Sequence, residues 1–87
     1  MPRVRIPTPL RSYTNDETWV YAAGATLDEV MHSIEAAYPG IRFRAIDEQG
    51  QIRKHMRIFI NDELARVLTT EVTETDEVTL MQALSGG

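Results

Sequence analysis

The stretch that most restricts the fold is residues 26–38, TLDEVMHSIEAAY. Leu27, Val30, Met31, Ile34, Ala37 and Tyr38 recur at the spacing of one helix face. Thr26 suits the N-cap, and Glu29 three residues later completes a capping box. Asp28 and Glu29 favour the positive end of the helix dipole, and Pro39-Gly40 stops the helix. An apolar stripe of this kind has to be buried, and the plain expectation is packing against a sheet. The chain has 87 residues, enough for one core and one pair of layers but not for a deep active-site cavity.

The other apolar segments are short and read as strands. Val4 and Ile6 alternate with Arg3 and Arg5 up to Pro7, which predicts a first strand with Val4 and Ile6 inward. Residues 10–16 read as a loop with a turn at Asn15-Asp16, and residues 18–22 as a second strand ended by Gly24. Two strands joined by one loop suggest an antiparallel hairpin. Residues 41–45 read as a short helical turn, with Ile41, Phe43 and Ile46 over one end of the core. Residues 57–60 form a third strand turning at Asn61-Asp62, and residues 63–67 a short fourth. An acidic, Thr-rich loop at 71–77 leads into a last strand at 78–83. The expected class is α+β, one main helix on a mixed sheet of four to five strands.

Composition removes several functions. With no cysteine, a disulfide framework, a Cys-ligated zinc site and a Cys nucleophile are excluded. His32 and His55 lack a second ligand at metal-binding spacing, so no metal site is predicted. A net charge of −4 opposes nucleic-acid binding. The cluster Arg53, Lys54, His55 and Arg57 is therefore read as a solvated loop and strand start. No apolar run approaches the length of a membrane span and no signal peptide follows Met1, so the expectation is a soluble cytoplasmic protein. No catalytic acid, base or nucleophile stands out.

The last ten residues, VTLMQALSGG, run from a strand into a diglycine. The sequence reading divides the chain into a domain at 1–83 and a flexible tail at 84–87. A terminal carboxylate is a poor electrophile until it is activated, for instance as a mixed anhydride with a nucleotide. Gly86 and Gly87 lack Cβ atoms, so an extended backbone can thread a narrow channel and present an unhindered acyl carbon. The competing reading is a frayed end with no role.

The strand and helix order, Ile6-Pro7-Thr8 with Leu10-Arg11, Gly24-Ala25-Thr26-Leu27, the run Arg57-Ile58-Phe59-Ile60-Asn61-Asp62-Glu63, Asp76-Glu77-Val78 and the final Gly86-Gly87 together carry a resemblance. The chain resembles the small sulfur-carrier proteins of the MoaD/ThiS family, which have the β-grasp (ubiquitin-like) fold, and among them the cysteine-synthase-coupled type. Gln82 and Ala83 stand where the molybdopterin-synthase subunit commonly has prolines. The resemblance implies a carrier that is not itself an enzyme. An adenylating sulfurtransferase of the ubiquitin-activating type would use ATP on Gly87, which would become a thiocarboxylate. Leu84, Ser85 and Gly86 would thread the partner's active site. The sulfur would pass to an acceptor, a cysteine synthase-like enzyme or the large subunit of molybdopterin synthase. A metalloprotease is a further partner of the family. No bound cofactor, nucleic acid or membrane is implied. The alternative is a ubiquitin-like modifier joined through Gly87 to target lysines, and a third reading is a plain interaction module.

Strand parity also gives a docking face. With Val78, Leu80, Ile58, Ile60, Val20 and Ala22 inward, the outer face holds Trp19, Tyr21, Phe59 and Met81, interleaved with Arg3, Arg5 and Arg57. Aromatic residues, Met and Arg are enriched at interfaces. A bulge or a one-residue slip would instead put Trp19 or Tyr21 on the core side.

Overall fold

The computed structural model describes residues 1–83. Helix α1 (Leu27–Ala37) forms where the apolar stripe places it, with Leu27, Val30, Met31 and Ile34 buried. Ala37, expected in the buried stripe, is exposed in the last turn, and Tyr38 is half-buried. Thr26 is extended, and its Oγ1 accepts the Glu29 N–H at 3.2 Å. Glu29 reaches back to accept the Ala25 N–H at 2.9 Å. The Leu27 and Asp28 N–H groups donate to the carbonyls of Thr70 and Leu68, both at 2.9 Å. These donors would otherwise be left without partners at a helix start. The segment around residue 70 thus clamps the helix, and the buried Val72 fixes it further through its N–H to the Ala25 carbonyl at 3.0 Å.

Five strands form one mixed sheet: β1 (Arg3–Arg5), β2 (Trp19–Tyr21), β3 (Met56–Ile60), β4 (Glu63–Ala65) and β5 (Glu77–Gln82). Their order across the sheet is β2-β1-β5-β3-β4. β1 and β2 make the expected antiparallel hairpin, while β1 and β5 run parallel with Val4 opposite Val78. β3 is antiparallel to both β5 and β4. Val4, Val20, Ile58, Ile60, Val78 and Leu80 all point to one face and are buried with the helix stripe. One helix over a mixed five-stranded sheet is the β-grasp layout.

Three expectations about the connections and short elements are corrected. Residues 10–16 do not form an irregular loop; Thr8–Thr14 is a 3₁₀ helix with Pro9 in its first turn, where a missing N–H costs nothing. Its buried Leu10 fixes the segment to the core, and Asn15 ends it in the left-handed region (φ 54°). Phe43 does not cover the core. In α2 (Ile41–Ala45) the buried residues are Ile41 and Ala45, one turn apart, so Phe43 falls on the opposite side and is 55 % exposed. Ile41 and Ile46 are buried as expected. The fourth strand also stops earlier, at Ala65.

Two carboxylates cap turns. α2 starts at Gly40 (φ 99°), which offers no side-chain cap. Glu35 supplies it, accepting the Gly40 and Arg42 N–H groups at 2.8 and 2.9 Å. These bonds hold its carboxyl below the ordinary value of 4.5. Asp76 is held below 3.8, first by the Thr73 N–H (2.8 Å) and then by the Asn61 side-chain amide (3.0 Å).

Two outcomes follow. At Gly24 an added Cβ would lie 2.5 Å from the Val30 nitrogen and 2.9 Å from the Glu29 carbonyl carbon, against the backbone of α1's first turn. Gly24→Ala should therefore cost about 1–3 kcal/mol in urea unfolding, and an unchanged midpoint would contradict the close approach. A carboxyl with a lowered folded pKa stabilises the fold above its unfolded pKa and loses that contribution as pH falls through the folded value. Glu35 thus supports the fold fully above pH 4.5 and progressively less below it. Stability should decline on acidification below that point, and Glu35→Gln should make the decline shallower. Equal slopes in the two proteins would remove Glu35 from the acid response.

Candidate functional site

On the sheet face away from α1, Arg3, Arg5, Tyr21, Arg57, Leu64 and Met81 are exposed and Trp19, Phe59 and Thr79 are half-buried. Register defines a row across all five strands: Trp19, Arg5, Thr79, Phe59 and Leu64. On one side of this row Met81 pairs with Arg57; on the other, Tyr21, Arg3 and Glu77 are neighbours. The residues expected on the outer face all lie there. The slipped register that would bury Trp19 or Tyr21 does not occur, because Val20 and Ala22 fill the core positions.

The face has two parts. Phe59 and Met81 stand on adjacent strands with Arg57 between Met56 and the core residue Ile58. Met81 is 49 % exposed and Phe59 half-buried. The Arg57 guanidinium turns back to donate to the carbonyls of Lys54 (2.7 Å) and Met56 (3.0 Å), which fixes its charge at the start of β3. Trp19 lies three strands from Phe59, about 14 Å at ordinary strand spacing. It is half-buried because the Arg3 guanidinium lies over its ring at 4.0 Å, while Arg3 also binds Glu77 at 2.6 Å. Tyr21 is opposite Arg3 and 67 % exposed, at the end of the sheet where β5 begins. Phe59, Met81 and Arg57 therefore form one cluster, and Trp19 with Tyr21 a separate one.

Leu64 was not anticipated. It is 39 % exposed and directly opposite Phe59, extending the apolar cluster onto β4. Alternation in the short run Glu63-Leu64-Ala65 was the available signal, since Ala65 had to face the core.

β5 ends beside this cluster. Gln82 pairs with Met56, and the Ala83 N–H donates to the His55 carbonyl at 2.7 Å. The chain therefore leaves the sheet next to Met81 and Arg57. Leu84, Ser85, Gly86 and Gly87, the residues of the expected tail, lie outside the described residues. Among the described residues no group of His, Asp or Glu side chains is placed to hold a metal ion, and no helix is long and apolar enough to cross a membrane.

The profile of the ThiS family matches residues 4–87, from the first strand through the diglycine. The chain belongs to the ThiS family. The sulfur carrier protein CysO of Mycobacterium tuberculosis is 38 % identical to this ThiS-family chain over 89 residues, covering 97 % of it and 96 % of the relative. The crystal structure of that CysO superposes with a TM-score of 0.91 at 35 % identity, over 97 % of this chain and all of the other. The CysO-related chain in the Amycolatopsis orientalis BexX/CysO complex matches over the full length of both chains, with a TM-score of 0.92 and 33 % identity. The small archaeal modifier protein SAMP1 of Haloferax volcanii, at 23 % identity and a TM-score of 0.76, shares the fold.

A solvent-facing cluster should tolerate truncation. Met81→Ala should change unfolding free energy by no more than about 0.5 kcal/mol, and the half-buried Phe59→Ala by about 1 kcal/mol. Loss of cooperative unfolding in either would place these side chains in the core.

Proposed function

We propose that this ThiS-family chain is a sulfur carrier that works through a thiocarboxylate on Gly87. The observation that carries the reading is the family match through residue 87. The relation to proteins named sulfur carrier over nearly the whole chain supports it. The fold adds a physical reason: the last strand holds the point of exit at a fixed place beside an apolar and cationic cluster.

The chemistry needs little from the chain itself. In a partner of the ubiquitin-activating type, a Gly87 carboxylate oxygen attacks the α-phosphorus of ATP and pyrophosphate leaves. The acyl adenylate is then attacked by sulfide, or by a persulfide whose S–S bond a thiol afterwards reduces, and AMP leaves. The resulting thiocarboxylate carries sulfur without a cysteine side chain, in keeping with a sequence that has none. An acceptor enzyme takes the sulfur, and hydrolysis returns the carboxylate. The protein acts as a co-substrate, contributing an unhindered acyl group and a surface by which the partner holds it. Phe59, Met81, Leu64 and Arg57 are the proposed contacts nearest the exit, of the residue types that anchor interfaces. Gln82 and Ala83, together with the similarity to CysO, favour an acceptor of the cysteine synthase type over molybdopterin synthase.

Exchange of labelled pyrophosphate into ATP by the adenylating enzyme from the same genome tests this reading. Exchange should depend on the carrier and vanish when Gly87 is deleted. Phe59→Ala or Met81→Ala should raise the half-saturating carrier concentration about tenfold, the effect of losing roughly 1.4 kcal/mol of binding. Exchange supported equally well by a chain lacking Gly86 and Gly87 would overturn it.

A further inference from the structure

Charge is divided along β5. At the end where the chain leaves the sheet, two shallow grooves flank the exit. One, of about 380 Å³, has Arg5 and Arg11 in its wall beside Met81 and Gln82. The other, of about 280 Å³, is bordered by Arg53, Lys54, Arg57 and Arg66. Among the described residues neither wall contains a carboxylate. At the opposite end, grooves of about 350 and 390 Å³ are bordered by Asp62, Glu63 and Glu71, and by Glu29 and Glu74. Neither of those contains lysine or arginine.

Topology produces the division from segments far apart in sequence. β1 runs parallel to β5, so Arg5 arrives beside Thr79. β3 runs the other way and starts at the exit, bringing Arg53, Lys54 and Arg57. β4 returns antiparallel to β3, so Arg66, just past Ala65, falls back to the same end. Six of the nine lysines and arginines are gathered there, with Asp16 and Glu17 beside Arg11 where β2 begins, in a chain whose net charge is −4. The ion pairs among the described residues involve Arg3, His32 and Arg42, not these six. Arg11, Arg53 and Arg57 donate instead to the carbonyls of Ile6, Phe43 and Lys54, which fixes their positions without neutralising them.

We propose that this cationic pole is a docking site for a carboxylate-rich protein surface, and that it steers the exit of the chain toward that surface. The proposal rests on the sulfur-carrier reading in one respect: the partner is the adenylating enzyme, and the carboxylates border the mouth of its channel. An acidic partner surface is attracted by one pole and repelled by the other, so encounter is oriented before contact. Such fields raise association rates by roughly 10- to 1,000-fold at low salt and fade over a Debye length of about 8 Å at physiological salt.

The test has two arms. In the first, the ¹⁵N-labelled full chain is titrated with a hexaglutamate peptide. Amide shifts should concentrate at Arg5, Lys54, Arg57 and Gln82, spare Glu63 and Glu74, and disappear in high salt. They should also be lost in the Arg5→Glu/Arg57→Glu protein, and in Lys54→Ala/Arg66→Ala, whose side chains are exposed. Shifts spread over both poles, or a single-stranded RNA oligomer binding more tightly than the peptide, would overturn the proposal. In the second arm, stopped-flow association with the adenylating enzyme should slow about tenfold or more for Arg5→Glu/Arg57→Glu. It should not slow for Asp62→Ala/Glu63→Ala. Equal rates, with an enzyme that still activates the unaltered carrier, would overturn the steering and leave the carrier reading intact. An enzyme that fails to activate the unaltered chain would count against the carrier reading, and the peptide arm would still decide the pole.

Discussion

The parallel pairing of β1 with β5 is the interaction on which the rest of the structure depends. Val4 lies opposite Val78, so the first and last strands meet at the middle of the sheet. β5 also takes β3 on its other side, and without it the β1-β2 hairpin and the β3-β4 hairpin would share no edge. The core is completed only when residues from both ends of the chain come together, a non-local contact with a large loop-closure cost. The same pairing fixes parity. With Val78 and Leu80 under the helix, Thr79 and Met81 have to face outward.

This arrangement ties stability to delivery. A strand held on both edges is a rigid base for whatever follows it, and the bond from Ala83 to His55 extends that base one residue past β5. The helix and the clamp at Thr70 and Leu68 bury one face, while Tyr21, Leu64 and Met81 on the other stay exposed. The buried face accounts for folding, and the outer face carries the groups suited to recognition. In the proposed carrier cycle, chemistry is left to Gly87 and to the enzymes that would act on it.

Much of this was legible in the sequence, because period and capping are local signals. The stripe from Leu27 to Ile34, the Thr26–Glu29 cap and the alternation in each strand depend on residues a few positions apart, and the structure follows them, although Ala37 at the end of the stripe is exposed. The 3₁₀ helix at Thr8–Thr14 was not legible, since two prolines mark a turn without stating whether the backbone coils. Phe43 misled because its hydrophobicity suggested burial, while its position two residues from Ile41 turns it outward under the Arg53 guanidinium. The division of the outer face into two clusters and the charge of the two poles depend on strand order. Arg5, Arg57 and Arg66 are scattered in sequence, and only the order β2-β1-β5-β3-β4 brings them to one end. The family resemblance read from the element order, the motifs along the chain and the final diglycine agrees with the family match, while Leu84, Ser85, Gly86 and Gly87 lie outside the described residues.

The central claim is that a sulfur atom travels on Gly87. Intact mass of the purified chain, after incubation with ATP, sulfide and its adenylating enzyme, tests that claim most directly. The account predicts a shift equal to replacement of one oxygen by sulfur, localised by fragmentation to the last residue. An unchanged mass, from an enzyme that does release pyrophosphate with this chain, would contradict it.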